Sequence, residues 1–347
     1  MAIAFISSDF ALGPDYTIRP GGCGYYRCIL PMLVCGQPAH AGILSWDPLY
    51  GFGIKESNTT GVYGFNTVML KLIMSRWTPR QIELAHALGQ RIIVDVDDHY
   101  DGLTEANAAY DITHPDKNKI RNRDNYRAVI DAADLITVST PFLYDYLSSR
   151  HPNVKMIRNG VNMLPFTRRK QQARPVIGWT GATSYRNNDL EQLRDWLPGF
   201  LEEHDLTFHH AGHDPSAPSF ADITGVDTRR VTTSPLLPIE QYPEAFLFDI
   251  GIVPLNDIPF NHAKSNIKGL EYVAAGIPFV ASDLPEYRTL HESGVGLIAR
   301  SPSEWVSAMT TLLDIDYRKT AARRQYDLVK QHWTIEARAA EWREALA

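Results

Sequence analysis

Between a predicted strand over 249–255 and a second one over 278–281 runs Phe260-Asn261-His262-Ala263-Lys264-Ser265-Asn266-Ile267-Lys268-Gly269-Leu270-Glu271. Its residue types could grip a phosphorylated ligand. The spacing predicts a helix over 264–275, with Gly276 as the residue that ends it. On such a helix Lys264 and Glu271 lie nearly on one stripe, with Lys268 close by, over an axial span of roughly 10 Å. A diphosphate joined to a ribose has about that length. The helix start near Ser265 and Asn266, together with a lysine, suits the phosphates. A carboxylate two turns on suits paired ribose hydroxyls. The plain alternative is a surface salt-bridge stripe. It explains little, because Lys264 and Lys268 at i,i+4 repel by a few tenths of a kcal/mol, roughly 0.2–0.5.

Three further clusters could do chemistry. Gly178-Trp179-Thr180-Gly181-Ala182-Thr183-Ser184-Tyr185-Arg186-Asn187-Asn188-Asp189 follows a predicted strand over 176–178. Backbone N–H groups at Thr180 and Gly181 and the Arg186 guanidinium would suit a diphosphate; an ordinary capped helix start is the alternative. Pro20-Gly21-Gly22-Cys23-Gly24-Tyr25-Tyr26-Arg27 leads into a predicted helix over 25–33, which Pro31 should bend or end. Its glycines would let the backbone at Gly22, Gly24 and Tyr25 approach a donor ligand, or they simply make a turn. It is not a dinucleotide fingerprint, since Arg27 stands where the third glycine would fall. Asp95-Val96-Asp97-Asp98-His99-Tyr100-Asp101 closes a predicted strand over 91–96. Its Asp-x-Asp invites a metal reading, but no other ligands are evident and the spacing is not that of a calcium loop. Helix-capping or solvated acids are one alternative. A cluster of Asp97, Asp98 and His99 facing sugar hydroxyls is the other.

The elements that must position these groups alternate along the chain. Strands are predicted over 2–6, 67–74, 91–96, 135–138 and 154–157, with helices over 79–88, 117–132 and 141–149. After the basic, proline-ended stretch 168–175, read as a linker, the alternation restarts. Strands are predicted over 176–178, 206–210, 249–255, 278–281 and 296–298, and helices over 189–203, 264–275 and 303–313. The tail over 317–347 reads as helix with a break near 332–334. Repeated strand-then-helix order predicts an α/β fold with parallel sheets covered on both faces. Two domains are expected, 1–167 and 168–347, with ligands beyond the carboxyl ends of the strands.

Composition narrows the function classes. A chain of 347 residues with 44% hydrophobic residues can bury more than one core. A net charge of −6 argues against a general nucleic-acid coat or an anionic-lipid surface. Cys23, Cys28 and Cys35 complete no zinc pattern and read as reduced thiols of a cytoplasmic protein. No basic leader and no apolar run of membrane-spanning length is present.

At these residues the chain resembles the retaining glycosyltransferases of the two-Rossmann (GT-B) type, especially glycosyltransferase family 4. The 263–271 segment resembles that group's E-x7-E region, followed by its A-x-G-x-P-x-V-A-S ending at Ala274-Ala275-Gly276-Ile277-Pro278-Phe279-Val280-Ala281-Ser282. Ala133-Asp134-Leu135-Ile136-Thr137-Val138-Ser139-Thr140 and Val154-Lys155-Met156-Ile157-Arg158-Asn159-Gly160-Val161 are similar to its strand-plus-Thr segment and its N-G-V/I turn. The resemblance implies two Rossmann-like doubly wound domains facing a cleft, with a C-terminal helix crossing back to the first. It implies that Glu271 holds the nucleotide ribose and that Ile267 and its neighbours give N–H groups to the diphosphate. Two departures stand out: Ala263 replaces the first glutamate, and the usual Arg-plus-Lys pair is reduced to Arg186, with Lys264 or Lys268 as the replacement cation. This variant resembles transferases of phages and polysaccharide gene clusters.

The expected activity is transfer of a sugar from a nucleoside-diphosphate sugar to an acceptor hydroxyl, with retention and without a metal or other cofactor. Arg186, Lys264 and the helix start would stabilise the leaving diphosphate, while Asp97, Asp98 or His99 would orient the sugar or relay a proton. Expected partners are the nucleotide sugar and an acceptor glycan, protein or modified DNA base, for a monomer or weak homo-oligomer. A sugar-nucleotide epimerase and a non-catalytic, degenerate transferase are the alternatives.

Overall fold

The computed structural model of the protein describes residues 3–12, 18–35, 41–47, 51–52, 65–184 and 186–347. Tyr185 of the Gly178–Asp189 segment and Ala2 of the first predicted strand lie outside them. The chain divides into two units. One comprises Met1–Gly102, Tyr110–Gly160 and Ile335–Ala347; the other comprises Leu103–Ala109 and Val161–Thr334. The last helix, Ala339–Leu346, therefore belongs with the first unit.

The first unit is built on β1 (Ile3–Ser7), β2 (Phe10–Leu12), β3 (Ile18–Pro20), β4 (Ala41–Asp47), β5 (Gly51–Phe52), β6 (Thr67–Lys71), β7 (Arg91–Val96), β8 (Leu135–Val138) and β9 (Val154–Met156). Seven of them form one sheet in the order β5-β4-β1-β6-β7-β8-β9; β2 and β3 pair as an antiparallel hairpin. Every neighbour in the sheet is parallel except β4 with β5. β1 and β6 are buried at every position, as strands covered on both faces must be. The neighbours of β1 place a topological switch between β1 and β6, and the Gly21–Gly24 loop follows β1 through the hairpin.

The second unit holds β10 (Val176–Thr180), β11 (Thr207–His213), β12 (Val231–Pro235), β13 (Ile250–Val253), β14 (Phe279–Ser282) and β15 (Leu297–Ala299). All pair in parallel, in the order β12-β11-β10-β13-β14-β15. That is the doubly wound 3-2-1-4-5-6 order, with its switch point between β10 and β13. Two apolar clusters cover the sheet, one around Trp179, Trp196, Phe200, Phe208 and Trp305, the other around Phe248, Tyr272, Phe279 and Trp333.

Several expectations change in detail. The helix expected over 264–275 begins only at Ile267, with Asn266 as its N-cap; a separate turn of helix, Pro259–His262, precedes it. The span 189–203 is two pieces, a 3-10 turn Glu191–Asp195 and a helix Leu197–Glu203, broken where Trp196 leaves helical geometry ahead of Pro198. The helical run over 22–34 survives Pro31 because Tyr25–Ile29 is wound as a π-helix. A wider turn gives room for a ring that would crowd the carbonyl of the preceding turn. β12 escaped prediction because its sequence, VTTSP, is largely polar and mostly exposed at the sheet edge. The basic stretch 168–175 lies within the second unit. Arg169 donates to the buried Asp249 at 3.1 Å, Arg168 lies over the Tyr326 ring, and Gln171 joins the Gly276 carbonyl to Arg318. Among the described residues Cys23, Cys28 and Cys35 form no disulfide.

Candidate active site

In the second unit, the turn after β10 and the segment after β13 bracket the switch point. β10 ends at Thr180, and Gly181 follows with φ +140°, a conformation L side chains rarely adopt. A Cβ added there would stand 2.5 Å from Arg186 Nη2, so the guanidinium lies directly against the Gly181 backbone. The glycine's carbonyl accepts from His210 Nε2 at 2.9 Å, and its N–H donates to Ala211 O at 2.8 Å. Beneath the turn the buried Trp179 ring carries two cations, Arg186 with its guanidinium carbon 5.2 Å from the ring centroid and Lys268 Nζ at 5.6 Å.

The segment after β13 is pinned to the Arg186 loop by one buried carboxylate. Asp189 accepts from Asn256 N at 2.8 Å and from Asn261 Nδ2 at 2.7 Å, and Asn256 Nδ2 donates to Asn187 O at 2.8 Å. These bonds carry the chain from Pro259–His262 into Lys264, whose ammonium lies 4.4 Å from the Phe260 ring centroid. Lys264 thus stands before the helix, not on one stripe with Glu271. The stripe argument holds for Lys268 and Glu271, both within Ile267–Ala274. Ser265 is half-buried; Asn266 is buried and turns its amide to Glu286 O at 3.3 Å. The helix N-terminus therefore offers the backbone N–H groups of Ile267 and Lys268 rather than the Asn266 side chain. Ala263 is fully buried.

A polar chain links the two segments. Lys268 Nζ donates to the Thr180 carbonyl and, at 3.1 Å, to Thr180 Oγ1. The Tyr242 hydroxyl lies 2.9 Å from Thr180 Oγ1 and 3.3 Å from Glu271 Oε2. The Thr180 N–H donates to the Tyr272 hydroxyl at 3.0 Å. Burial, then repulsion from Arg186, pulls the Lys268 pKa down to about 7; Lys264 adds to that repulsion and Glu271 opposes it. Tyr242 was not singled out in the sequence. It opens a short 3-10 turn, Tyr242–Ala245, whose sequence carries no local pattern to mark it.

In the first unit, Asp95 and Asp97 stand at the end of β7 in a buried ion network. Arg27, wholly buried, donates to Asp95 through Nε and, at 2.6 Å, through Nη2; its Nη1 reaches Ile157 O at 2.7 Å and Asn159 Oδ1 at 3.0 Å. Lys71 Nζ lies 3.5 Å from Asp95 and donates to Asp97. Burial alone would raise the Asp97 pKa, but Lys71 holds it at about 2. A carboxylate so held stays charged and does not suit a proton relay at neutral pH.

The glycine loop has an occupant from its own chain. Asp9 Oδ2 accepts the Gly24 N–H at 2.7 Å, and a Cβ on Gly21 would meet Asp9 Oδ1 at 2.2 Å. The N–H group expected to face a donor at Gly24 is thus taken by Asp9. Gly22 and Gly24 form the first turn of the helical run and Tyr25 begins its π segment, all in the first unit. Asp98 is half-buried, and His99 is buried with its ring edge-on to Phe142 and Tyr146. Burial lowers the His99 pKa. Asp101 is engaged by Tyr146, Arg127 and Arg123. Among the described residues no group of three or more His, Cys, Asp or Glu is placed to hold a metal ion, and no helix is long and apolar enough to cross a membrane.

Residues 174–314 match the family model for glycosyl transferases group 1. A Bacillus subtilis (strain 168) protein named as teichuronic acid biosynthesis glycosyltransferase TuaH is 30% identical over 174 residues, covering 45% of this chain and 42% of its own length. The chain thus spans less than half of that relative. Among solved structures, sucrose-phosphate synthase from Thermosynechococcus elongatus superposes with a TM-score of 0.66 at 15% identity, covering 99% of this chain and 98% of its own. Anabaena HepE in complex with UDP-glucose gives 0.64 at 13% identity, covering 100% and 99%. Likeness at such low identity concerns the fold, and it agrees with the two parallel-sheet units described above. The chain has the GT-B fold of these structures, and its residues 174–314 are similar to the glycosyl transferases group 1 family.

Proposed function

We propose that the protein transfers a sugar from a nucleoside-diphosphate sugar to an acceptor hydroxyl, with retention at the anomeric carbon and without a metal ion. The meeting of Arg186 and Lys268 over the Trp179 ring at the β10/β13 switch point, with Lys264 close enough to repel Lys268, carries this reading. Lys268 is desolvated beside cations that repel it, a cost that its depressed pKa expresses and that a bound anion would lower. A diphosphate supplies the anion.

In this reading the Ile267 and Lys268 N–H groups receive the phosphates together with the three cations. Glu271, with Tyr242 beside it, takes the ribose hydroxyls. Negative charge grows on the diphosphate as the glycosidic bond breaks, and fixed cations in a site withdrawn from water stabilise that charge. With three cations from the chain, the leaving group needs no metal. Asp98 and His99 of the first unit serve the acceptor side, and Asp97 acts as a fixed anion. HepE, a structural neighbour, is described in complex with UDP-glucose, so UDP-sugars are the first donors to try.

The test is a panel of nucleotide sugars screened by thermal shift, with donor hydrolysis and transfer followed for each one that stabilises the chain. A donor that stabilises and turns over, with turnover largely lost in Lys264→Ala and Glu271→Ala, is the expected result. No stabilisation by any nucleotide sugar or nucleoside diphosphate overturns the reading.

A further inference from the structure

The first unit contains a second polar recess, lined by Asp98, His99, Asp101, Arg123, Arg127 and Arg150 over an apolar floor. Arg123 and Arg127 both come from the helix Asn122–Asp131, at i,i+4, and Arg150 follows the helix Pro141–Ser148. Two like charges one turn apart destabilise a helix slightly, so this placement is not explained by the helix itself.

Some of the charge is already balanced. Asp101 accepts from Arg127 and Tyr146, and Arg150 reaches Asp131 at 3.3 Å on the rim. Asp124 lies 3.7 Å from Arg127. Two atoms are not accounted for. Arg123 Nε is buried and lies 3.4 Å from Asp101, yet makes no hydrogen bond. His99 is 8% exposed, and its Nδ1 is buried without a hydrogen-bond partner. A guanidinium N–H can only donate, so its missing partner is an acceptor. Buried polar groups left without partners mark a place for an ion or a ligand group. The recess is narrow and its floor apolar, which fits a compact anionic group and leaves a whole sugar ring outside.

We propose that this recess binds the carboxylate or phosphate of an acidic acceptor saccharide. The Arg123 guanidinium and the His99 ring grip the anion, and Arg127 and Arg150 supply the surrounding positive charge. Calling the ligand an acceptor rests on the transferase reading; anion binding at the recess does not.

Calorimetric titration of the full chain with inorganic phosphate, glucuronate and glucose tests it, alongside a separate titration with UDP. Expected is binding of at least one of the two anions and none of glucose. Preference for glucuronate identifies a uronate group, and preference for phosphate a phosphosugar. Arg123→Gln should weaken anion binding about tenfold or more, as loss of a charge-assisted hydrogen bond does, and leave UDP binding intact. Arg229→Gln, at an exposed arginine elsewhere, should change neither. Where Arg123→Gln also loses UDP binding through misfolding, Arg150→Gln makes the same comparison. The proposal fails if neither anion binds, if glucose matches glucuronate, or if the folded arginine variant binds the anion as the wild type does. Anion binding without binding of UDP or any other nucleoside diphosphate sinks the transferase reading and leaves the recess standing.

Discussion

Lys268 Nζ donates to Thr180 Oγ1 at 3.1 Å, which fastens the helix after β13 to the turn after β10. The contact brings a lysine with a pKa near 7 to the spot where Arg186 meets Gly181. Much of the site's expected behaviour follows from that pairing.

An anion beside Lys268 favours its charged form, so nucleoside-diphosphate binding should take up a proton above about pH 7. UDP affinity should fall as pH rises from neutrality, and the apparent binding enthalpy near pH 8 should depend on the buffer's ionisation enthalpy. Buffer-independent enthalpy there would count against Lys268 as a phosphate contact.

The same depression acts on folding with a definite sign. The folded pKa of about 7 lies below the ordinary 10.5, so between them the unfolded chain binds more protons. The penalty on the empty protein is complete below about pH 7 and fades as pH rises toward 10.5. Lys268→Met should remove it, stabilising the empty protein by about 1 kcal/mol or more at neutral pH while weakening UDP binding. Urea unfolding with and without UDP measures both.

Gly181→Ala should damage turnover more than stability. The added methyl meets Arg186 Nη2 at a backbone φ of +140°. The strain costs about 1–3 kcal/mol, and displacing the guanidinium should lower kcat by tenfold or more by misplacing charge against the leaving group. Steady-state kinetics beside a melting curve separates the two effects.

Tyr242→Phe should weaken UDP affinity by a few-fold, about 1 kcal/mol, since the hydroxyl that donates to Thr180 Oγ1 at 2.9 Å beside Glu271 is lost. Glu271→Ala should cost more, because it removes the carboxylate proposed to take the ribose hydroxyls. Equal effects in a binding titration would place Tyr242, not Glu271, on the ligand.

Arg27→Leu should be destabilising, by about 3 kcal/mol, because it removes the closest ion partner of the buried Asp95 carboxylate and leaves it Lys71 at 3.5 Å and the Thr137 hydroxyl. A denaturation midpoint close to the wild type would show that Lys71 alone compensates Asp95.

The strand and helix order was legible from the residues alone, because burial on both sheet faces writes runs such as IAFIS and RIIVDV into the chain. The β7 and β8 spans agree residue for residue. Polar β12 carried no such signal. The start of the Glu271 helix was also obscure. Lys264 fits a helical stripe on spacing, but the turn Pro259–His262 and the Asp189–Asn261 bond set the chain there on another course.

From the sequence by itself came the α/β class, the pairing of glycine turns with following basic residues, and the choice of Arg186, Lys268 and Glu271. Local periodicity and residue chemistry are enough for these. Only the tertiary structure decided which cations meet and which backbone donors stay available. Arg27 and Asp95 are 68 residues apart, and Lys268 and Thr180 are 88 apart. Asp9 fills the N–H of Gly24, and Arg123 joins His99 at a second recess. Such contacts depend on strand order and on the burial that makes a charge seek its partner, neither of which is written at short range.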